Sequence, residues 1–535
     1  MIFPLVLFAL IVFTCIFLNN LSSKAGIPVL LLFIVFGLVA GIPYETVMAD
    51  YSSVISDICT VALIFVMFYG GFGTRWSSAR PFVTEAGLLA SLGVLLTAFA
   101  TGLFCHYVLG WEMLESFLMG SVICSTDAAT VFSILRTHNL GLKRGLAPVL
   151  EVESGSNDPC SYMLTAIFIS ILQGTATGTT IVATVISQIA FGALFGLFIS
   201  TAAVYFLRRY HFVHGGFDTL FIFALAILSY ALPSWIGGNG YLSAYIVGIV
   251  VGNVNFPGRK PLIPFFDAIT DLMQIIIFFL LGFMAMSRNL VAVIPTALAI
   301  FAFLLLVARP FAVFSILAPF KRYTAKMMGF VSFVGLRGAA SIVFAIMAVT
   351  SGVALEHDIF SIVFVIVLIS IAGQGSLIPA ASKLLSVTDE NANDLKTFSD
   401  FTESDELAFG KISIREKTPW RDKYVKELGL PRDILIVRVI RGKTSLVPDG
   451  DLQLLLGDTV VVGTRSFSDP INAKVRSVHI KDSSPWVGHT VHEYTQENKV
   501  LVIMMKRKNE CLIPNGKFVI EKRDIMMTLE RHTSR

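Results

Sequence analysis

The sequence predicts an all-α polytopic membrane domain followed by a small α+β tail, and two observations carry this prediction. The 535 residues are 55% hydrophobic with a mean hydropathy of +0.75, which is too apolar for a soluble domain. Only 17 of the 41 Lys and Arg residues come before residue 386. The chain therefore divides into a membrane domain, residues 1–385, and a polar remainder.

Thirteen apolar stretches of the membrane domain are long enough to cross a bilayer. They are predicted at residues 2–19, 26–42, 55–72, 84–109, 113–135, 146–172, 177–207, 217–232, 238–254, 267–286, 289–317, 326–350 and 357–382. The first stretch has no basic amino-terminal region and no small-residue cleavage site. We therefore expect a retained span rather than a signal peptide.

The loops between these stretches test their number, because cytoplasmic loops of membrane proteins are enriched in Lys and Arg. Alternate loops carry 13 basic residues in one set, whereas the other set carries Arg288 alone together with several acids. This asymmetry predicts an amino terminus outside the cell and a tail in the cytoplasm.

Charged residues inside the predicted spans are costly and usually mark an ion or proton path. We single out five of them: Asp127, Glu153, Asp158, Arg309 and Arg337. They could simply pair to hold helices together, and we favour this interpretation for Glu153. Two arginines neutralise only two of the three acids, however, so one acid must bind a proton or a cation. We expect Asp158 to be that acid.

Helical spacing and depth group several polar residues near Asp158. Asp127, in "GSVICSTDAATV", reaches the same depth because the fifth and sixth spans enter from opposite sides. Ser154 and Asp158 lie one turn apart on one helix face, and Pro159 removes a backbone donor. We expect Asp127 at a helix break, with "FVGLRGAAS" (333–341) as the partner break. Such oxygen-rich surroundings suit a hard monovalent cation.

Three motifs resemble those of a known family. "STDAATVFSILR", "LEVESGSNDP" and "VGLRGAAS" are similar to motifs of the monovalent cation:proton antiporter-1 family, especially bacterial NhaP-type antiporters. The resemblance covers the membrane domain and implies a homodimer with inverted repeats and two interrupted, crossing helices. It implies exchange of K⁺ or Na⁺ for H⁺ across the inner membrane by alternating access, a role in pH homeostasis, and no cofactor.

The same resemblance implies a role for each residue of the site. Asp158 would bind either the metal ion, K⁺ or Na⁺, or the proton. Oxygens of Ser154 and of the Thr126 backbone would contribute, and Asp127 would be reached through water. Asn157 would steady the helix crossing. Glu153 would pair with one arginine, and whether it is Arg309 or Arg337 stays open.

Two positions differ from the charged residues that some relatives carry. Asn157 stands where electrogenic relatives of the superfamily have a second Asp, which implies electroneutral exchange. Tyr69, in "VMFYGGFG", stands where many members have an acid before the paired glycines. The ion site would then have one anionic ligand fewer, which leaves the choice between K⁺ and Na⁺ open.

Two other classes of function were weighed against the transporter. A pH-gated cation channel is the alternative, since "YGGFG" faintly resembles a potassium selectivity filter. The preceding Thr-Val is missing, however, and a closely packed glycine-rich helix end is the better interpretation of the segment. An enzyme is disfavoured, because the sequence has no Walker loop, no HExxH motif and no nucleophile elbow. Nothing indicates a nucleic-acid partner.

The tail follows a polar linker predicted at residues 386–408. Residues 417–464 have the order strand, helix, strand, turn, strand and resemble an RCK-C (TrkA-C) domain, which we place at 409–470. The sequence then repeats at a period of 66, Pro419-Trp420 returning as Pro485-Trp486. We predict a second, degenerate copy at 471–535. The resemblance implies a small regulatory ligand, such as a nucleotide, and a weak preference for K⁺.

Overall fold

A computed structural model describes most of the chain. The described residues are 9–18, 28–42, 52–138, 140–143, 145–176, 178–209, 216–254, 259–286, 288–388, 407–414, 418, 420–430, 434–441, 444–446, 448–465, 475–480, 484–498, 500–507, 510–512, 514, 516–522 and 524–530. The start of the first predicted span, several basic loop residues such as Lys24, Pro419 and most of the linker predicted at 386–408 lie outside them. The chain forms two compact units, Met1–Glu403 and Ser404–Arg535.

The regular elements among the described residues of the first unit are helices. In chain order the helices are α1 (Ala9–Leu18), α2 (Val29–Gly41), α3 (Ser52–Gly73), α4 (Trp76–Tyr107), α5 (Met113–Ile123), α6 (Ala128–Thr137), α7 (Leu146–Leu172), α8 (Gly178–Arg209), α9 (Gly216–Trp235), α10 (Gly240–Gly252), α11 (Arg259–Ala285), α12 (Leu290–Leu317), α13 (Ala325–Phe333), α14 (Ala339–Thr350) and α15 (Ile359–Leu384).

Length and composition mark this unit as a multi-pass membrane domain. Eight helical segments of the described chain are long and apolar enough to span a bilayer, if α5 and α6 count as one segment. Four shorter apolar helices join them: α1, α2, α10 and α14. Helix α7 has 27 residues but carries the acids of "LEVESGSNDP". The predicted membrane class is confirmed.

Two glycines set the close packing of α3 against α10. A Cβ atom on Gly71 would lie 2.3 Å from the carbonyl oxygen of Tyr245, and one on Gly248 would lie 2.1 Å from that of Phe68. Any larger residue would force the helices apart, as is usual for small residues at membrane helix interfaces. "YGGFG" therefore belongs to a continuous, packed helix, which disfavours the channel alternative.

The second unit contains two four-stranded antiparallel sheets. The strands are β1 (Leu407–Ser413), β2 (Ile434–Arg441), β3 (Thr444–Leu446), β4 (Thr459–Arg465), β5 (Val475–His479), β6 (Val500–Arg507), β7 (Glu510–Leu512) and β8 (Ile525–Glu530). The sheet orders are β1-β4-β2-β3 and β5-β8-β6-β7. Strand β1 begins two residues inside the predicted linker.

Equivalent contacts recur in the two sheets at the predicted period of 66. Arg441 Nε donates to Asp458 Oδ1 at 2.9 Å, and Arg507 Nε donates to Asp524 Oδ1 at the same distance. Both aspartates have no exposed surface. Even the β-bulge repeats, between Ile436 and Arg438 in β2 and at the matching position of β6. The repeat in the sequence thus corresponds to a repeated structure.

The copies differ where the sequence predicts a helix. The first copy has only a 3₁₀ turn, Val425–Glu427, whereas the second has helix α16, Val491–Asn498. In both, a glutamate accepts from a backbone N–H three residues before it: Glu427 from Tyr424 at 3.0 Å and Glu493 from Thr490 at 2.8 Å. This capping starts the turn, and only the second copy extends it.

The Arg441–Asp458 pair should stabilise the first sheet. We expect Arg441→Gln to lower the free energy of local unfolding of this sheet by about 2 kcal/mol, because the buried Asp458 carboxylate loses its partner. The loss is limited because the Arg441 side chain is partly exposed to solvent. The pKa of Asp458 is held below its usual range by the hydrogen bond from Arg441. The stabilisation is therefore present at neutral pH and lost as the pH falls through the lowered value.

Hydrogen exchange of β2 and β4 peptides in the full-length protein measures this effect. Arg421→Gln is the matched control, since its partner is the exposed Asp422 and such pairs contribute less than about 1 kcal/mol. Equal protection of the sheet in both variants would contradict the role given to Arg441.

Candidate functional site

The site begins where α5 ends and α6 starts, in the segment 124–127. The Asp127 carboxylate accepts a hydrogen bond from the Thr130 backbone N–H at 3.1 Å and another from the Thr130 hydroxyl at 2.6 Å. Asp127 is therefore the N-cap of α6, where its negative charge also interacts favourably with the helix dipole. The helix break expected at Asp127 is present.

A second break, residues 334–338 between α13 and α14, lies against the first. The Asp127 backbone N–H donates to the Leu336 carbonyl at 2.8 Å. A Cβ atom on Gly338 would lie 2.3 Å from Asp127 Oδ2, so only glycine fits beside this carboxylate. "FVGLRGAAS" therefore forms the partner break that the sequence predicts.

Arg337 donates hydrogen bonds to carbonyl oxygens at the end of α5 and forms no ion pair with an acid of the described residues. Its guanidinium donates to the carbonyl oxygens of Cys124 at 2.9 Å and Ser125 at 2.5 Å, and its backbone N–H donates to the Ser370 hydroxyl at 3.1 Å. The side chain has no exposed surface. A cation here compensates the partial negative charge of the interrupted helix end.

Glu153 pairs with Arg309, which resolves the choice that the sequence leaves open. Arg309 Nη2 lies 2.5 Å from Glu153 Oε1, and both side chains are nearly inaccessible, at 4% and 1% exposure. A π turn, Leu304–Ala308, directly precedes Arg309. Pro310 follows and has no N–H for the helical hydrogen-bond pattern. The π turn before Arg309 and the proline after it thus set where Arg309 lies along α12.

Asp158 has a hydroxyl partner and no fixed cation. Ser125 Oγ donates to Asp158 Oδ1 at 2.5 Å, and the residue is 6% exposed. Within the described part of the chain, no arginine, lysine or histidine forms an ion pair with Asp158. Its negative charge is therefore balanced neither by Arg309 nor by Arg337.

Three further predicted residues connect α7 to the first break. Ser154 Oγ donates to the Thr126 carbonyl and accepts from the Ala128 N–H, both at 2.9 Å. Asn157 Nδ2 donates to Thr126 Oγ1 at 2.7 Å. Ser154 and Asn157 therefore hold the broken helix against α7. The Ser154 hydroxyl and the Thr126 carbonyl oxygen each keep one lone pair that these hydrogen bonds do not use.

A cavity of about 520 Å³ opens onto this group of residues. Ser125, Thr126, Asp127, Ser154 and Asp158 all line it. The structure thus brings together four of the predicted ion-site residues and adds Ser125. Glu153, Asn157, Arg309 and Arg337 are not among its lining residues.

Further lining residues were missed by the sequence analysis. Glu151 is one of them and lies on the same face of α7 as Ser154 and Asp158. The others are Asp267 and Asp271 of α11. The signal in the sequence was present for Glu151, because positions 151, 154, 155 and 158 repeat at helical spacing. Asp267 and Asp271 stand at the start of the tenth apolar stretch, where acids resemble an ordinary helix end.

Comparisons with known proteins agree with this geometry. The transmembrane family "sodium/hydrogen exchanger" matches residues 9–383, and the TrkA-C domain matches residues 411–466. The K(+)/H(+) antiporter NhaP of Alkalimonas amylolytica is 33% identical over 447 residues, which cover 83% of this chain and 78% of that protein. The K(+)/H(+) antiporter NhaP2 of Shewanella baltica (strain OS223) is 31% identical over 461 residues, 85% and 79% of the two chains.

A solved structure shares the fold. The sodium proton antiporter MjNhaP1 from Methanocaldococcus jannaschii superposes with a TM-score of 0.62 at 18% identity, covering 73% of this chain and 99% of that one. The family match extends over more than half of the sequence, and the relatives match most of their own length. The chain therefore belongs to the sodium/hydrogen exchanger family of membrane antiporters and carries a TrkA-C domain.

Proposed function

We propose that this protein exchanges K⁺, or less readily Na⁺, for H⁺ by alternating access, with Asp158 as the shared carrier of cation and proton. The observation that carries the proposal is the charge balance at the crossing. Glu153 is neutralised by Arg309, whereas Asp158 lines the cavity and, among the described residues, has the Ser125 hydroxyl alone as a hydrogen-bond partner. The countercharge of Asp158 must then come from solution.

The oxygens around Asp158 are of the kinds that bind a dehydrated monovalent cation. The Asp158 carboxylate, the Ser154 hydroxyl and the Thr126 carbonyl oxygen border one cavity, and Asp127 would act through water. Asn157 contributes no charge, so one cation or one proton neutralises Asp158 and the exchange is electroneutral. The names of the relatives from Alkalimonas and Shewanella support K⁺ over Na⁺.

The proposed topology has thirteen crossings, with inverted repeats and two protomers in a dimer. Helices α5 and α6 together form the fifth crossing, and α13 and α14 the twelfth. In that topology the two interrupted spans run in opposite directions, as inverted repeats require. The basic loops place the amino terminus in the periplasm and the tail in the cytoplasm of a bacterial cell.

The tail is proposed to regulate exchange. Residues 411–466 match the TrkA-C domain, and the equivalent contacts at Asp458 and Asp524 support a second copy after it. A small ligand, such as a nucleotide, would bind the tail and alter the pH response of the membrane domain.

Asp158→Asn should abolish exchange, because an amide binds neither the proton nor the cation as a carboxylate does. Purified protein in proteoliposomes is tested by dequenching of a pH dye after addition of K⁺, Na⁺, Rb⁺ or Li⁺. We expect the largest response of the wild type to K⁺ and no response of the variant. Asp218→Asn, on α9 and outside the cavity lining, is the charge-matched control. Residual pH-dependent exchange by Asp158→Asn would refute the carrier role.

Glu153→Gln should destabilise the protein by about 3–5 kcal/mol, because it leaves the buried Arg309 charge uncompensated. Thermal unfolding in detergent measures this loss, and Asp158→Asn should cause none of it. The double variant Glu153→Gln/Arg309→Met should recover stability, since the buried charge is then gone. An unchanged melting temperature for Glu153→Gln would contradict the structural role of the pair.

Removal of the tail after Thr388 should leave cation-dependent proton exchange in place and shift its pH or ligand response. The reason is that the site residues all belong to the first unit. Proteoliposomes with the full-length and shortened chains are compared over a range of pH. Complete loss of transport by correctly inserted, shortened protein would instead make the tail a structural part of the transporter.

A further inference from the structure

A second polar stripe faces the cavity from α11. Asp267, Thr270, Asp271 and Gln274 all line the cavity that also contains Asp158. Their spacing of three and four residues places them on one helix face, along about 10 Å of the helix at 1.5 Å per residue. Polar and charged residues of membrane helices usually face such water-accessible paths.

The two acids of this stripe lie one helical turn apart, and one of them is held in place by a hydrogen bond. The Tyr69 hydroxyl of α3 donates a hydrogen bond to Asp267 Oδ1, which holds this side chain at the cavity wall. Asp271 lies one turn further on, so their Cβ atoms are about 6 Å apart. Arg136 also lines the cavity and interacts with Asp271, but five acids belong to the same lining: Asp127, Glu151, Asp158, Asp267 and Asp271. The acids therefore outnumber the arginine, and their field concentrates cations.

The buried hydroxyl of Thr270 also indicates a ligand at this stripe. The residue is 8% exposed, it lines the cavity between the two aspartates, and its buried hydroxyl has no hydrogen-bond partner among the described residues. A buried hydroxyl without a partner is costly. An oxygen at this position can ligate a cation held by Asp267 and Asp271.

We propose that Asp267, Thr270 and Asp271 form a second binding site for a monovalent cation, which the ion occupies before it reaches Asp158. This inference rests on the proposed exchange at Asp158 and adds a loading site to it. Two sites in series allow each to bind weakly enough to release the ion onward. Tyr69 takes part by positioning Asp267.

Direct binding separates this site from Asp158. Full-length protein carrying Asp158→Asn is immobilised for a scintillation proximity assay with ⁸⁶Rb⁺ and, separately, ²²Na⁺. We expect saturable binding of one of the two ions. Adding Asp267→Asn and Asp271→Asn should remove this binding, whereas adding Asp218→Asn should preserve it. No saturable binding by Asp158→Asn, or equal binding after the two further substitutions, would overturn the proposal.

Transport kinetics test the hydroxyl without removing a charge. Thr270→Val keeps the shape of the side chain and should raise the KM for the cation about threefold with an unchanged maximal rate, because a loading contact is lost and the exchange step is not. An unchanged KM would contradict cation ligation by Thr270. The proteoliposome exchange assay of Asp158→Asn tests the proposed function separately, because the result of that assay does not depend on the α11 stripe.

Discussion

The central constraint on the site is a buried carboxylate, that of Asp158, which forms no ion pair with a cation among the described residues. An isolated charge in a membrane protein is costly unless it is paired, protonated or bound to an ion. Arg309 is committed to Glu153 and Arg337 to the carbonyls at the end of α5. Asp158 is therefore the acid that we propose to change its charge state with the contents of the cavity.

Contacts between the two helix breaks hold this arrangement together. Asp127 caps α6, and Arg337 compensates the end of α5, so the broken backbone is satisfied without using Asp158. Gly338 lets the second break approach the Asp127 carboxylate. Ser154 ties α7 to the same crossing. The contacts that satisfy the broken backbone thus come from side chains other than Asp158, the residue that we propose to carry the ion.

The sequence predicts much of this because intramembrane charges, helical spacing and glycine pairs are local signals. The two breaks, the unpaired Asp158 and the 66-residue repeat all follow from such patterns. The partner of Glu153 could not be predicted, since both arginines lie far away in the chain and only packing selects Arg309. Ser125 and the α11 acids were missed for a related reason: a cavity is formed by several helices at once. The short turn Val425–Glu427 replaces a predicted helix because tertiary context overrides propensity.

The central claim is that cation and proton compete for Asp158, and proton release measures this competition most directly. Purified, full-length protein in weakly buffered detergent solution is titrated with KCl while the pH is recorded. Reciprocal linkage predicts release of up to about one proton per protomer from the wild type and none from Asp158→Asn. Cation binding to the wild type without proton release, or equal release by the variant, would contradict the account.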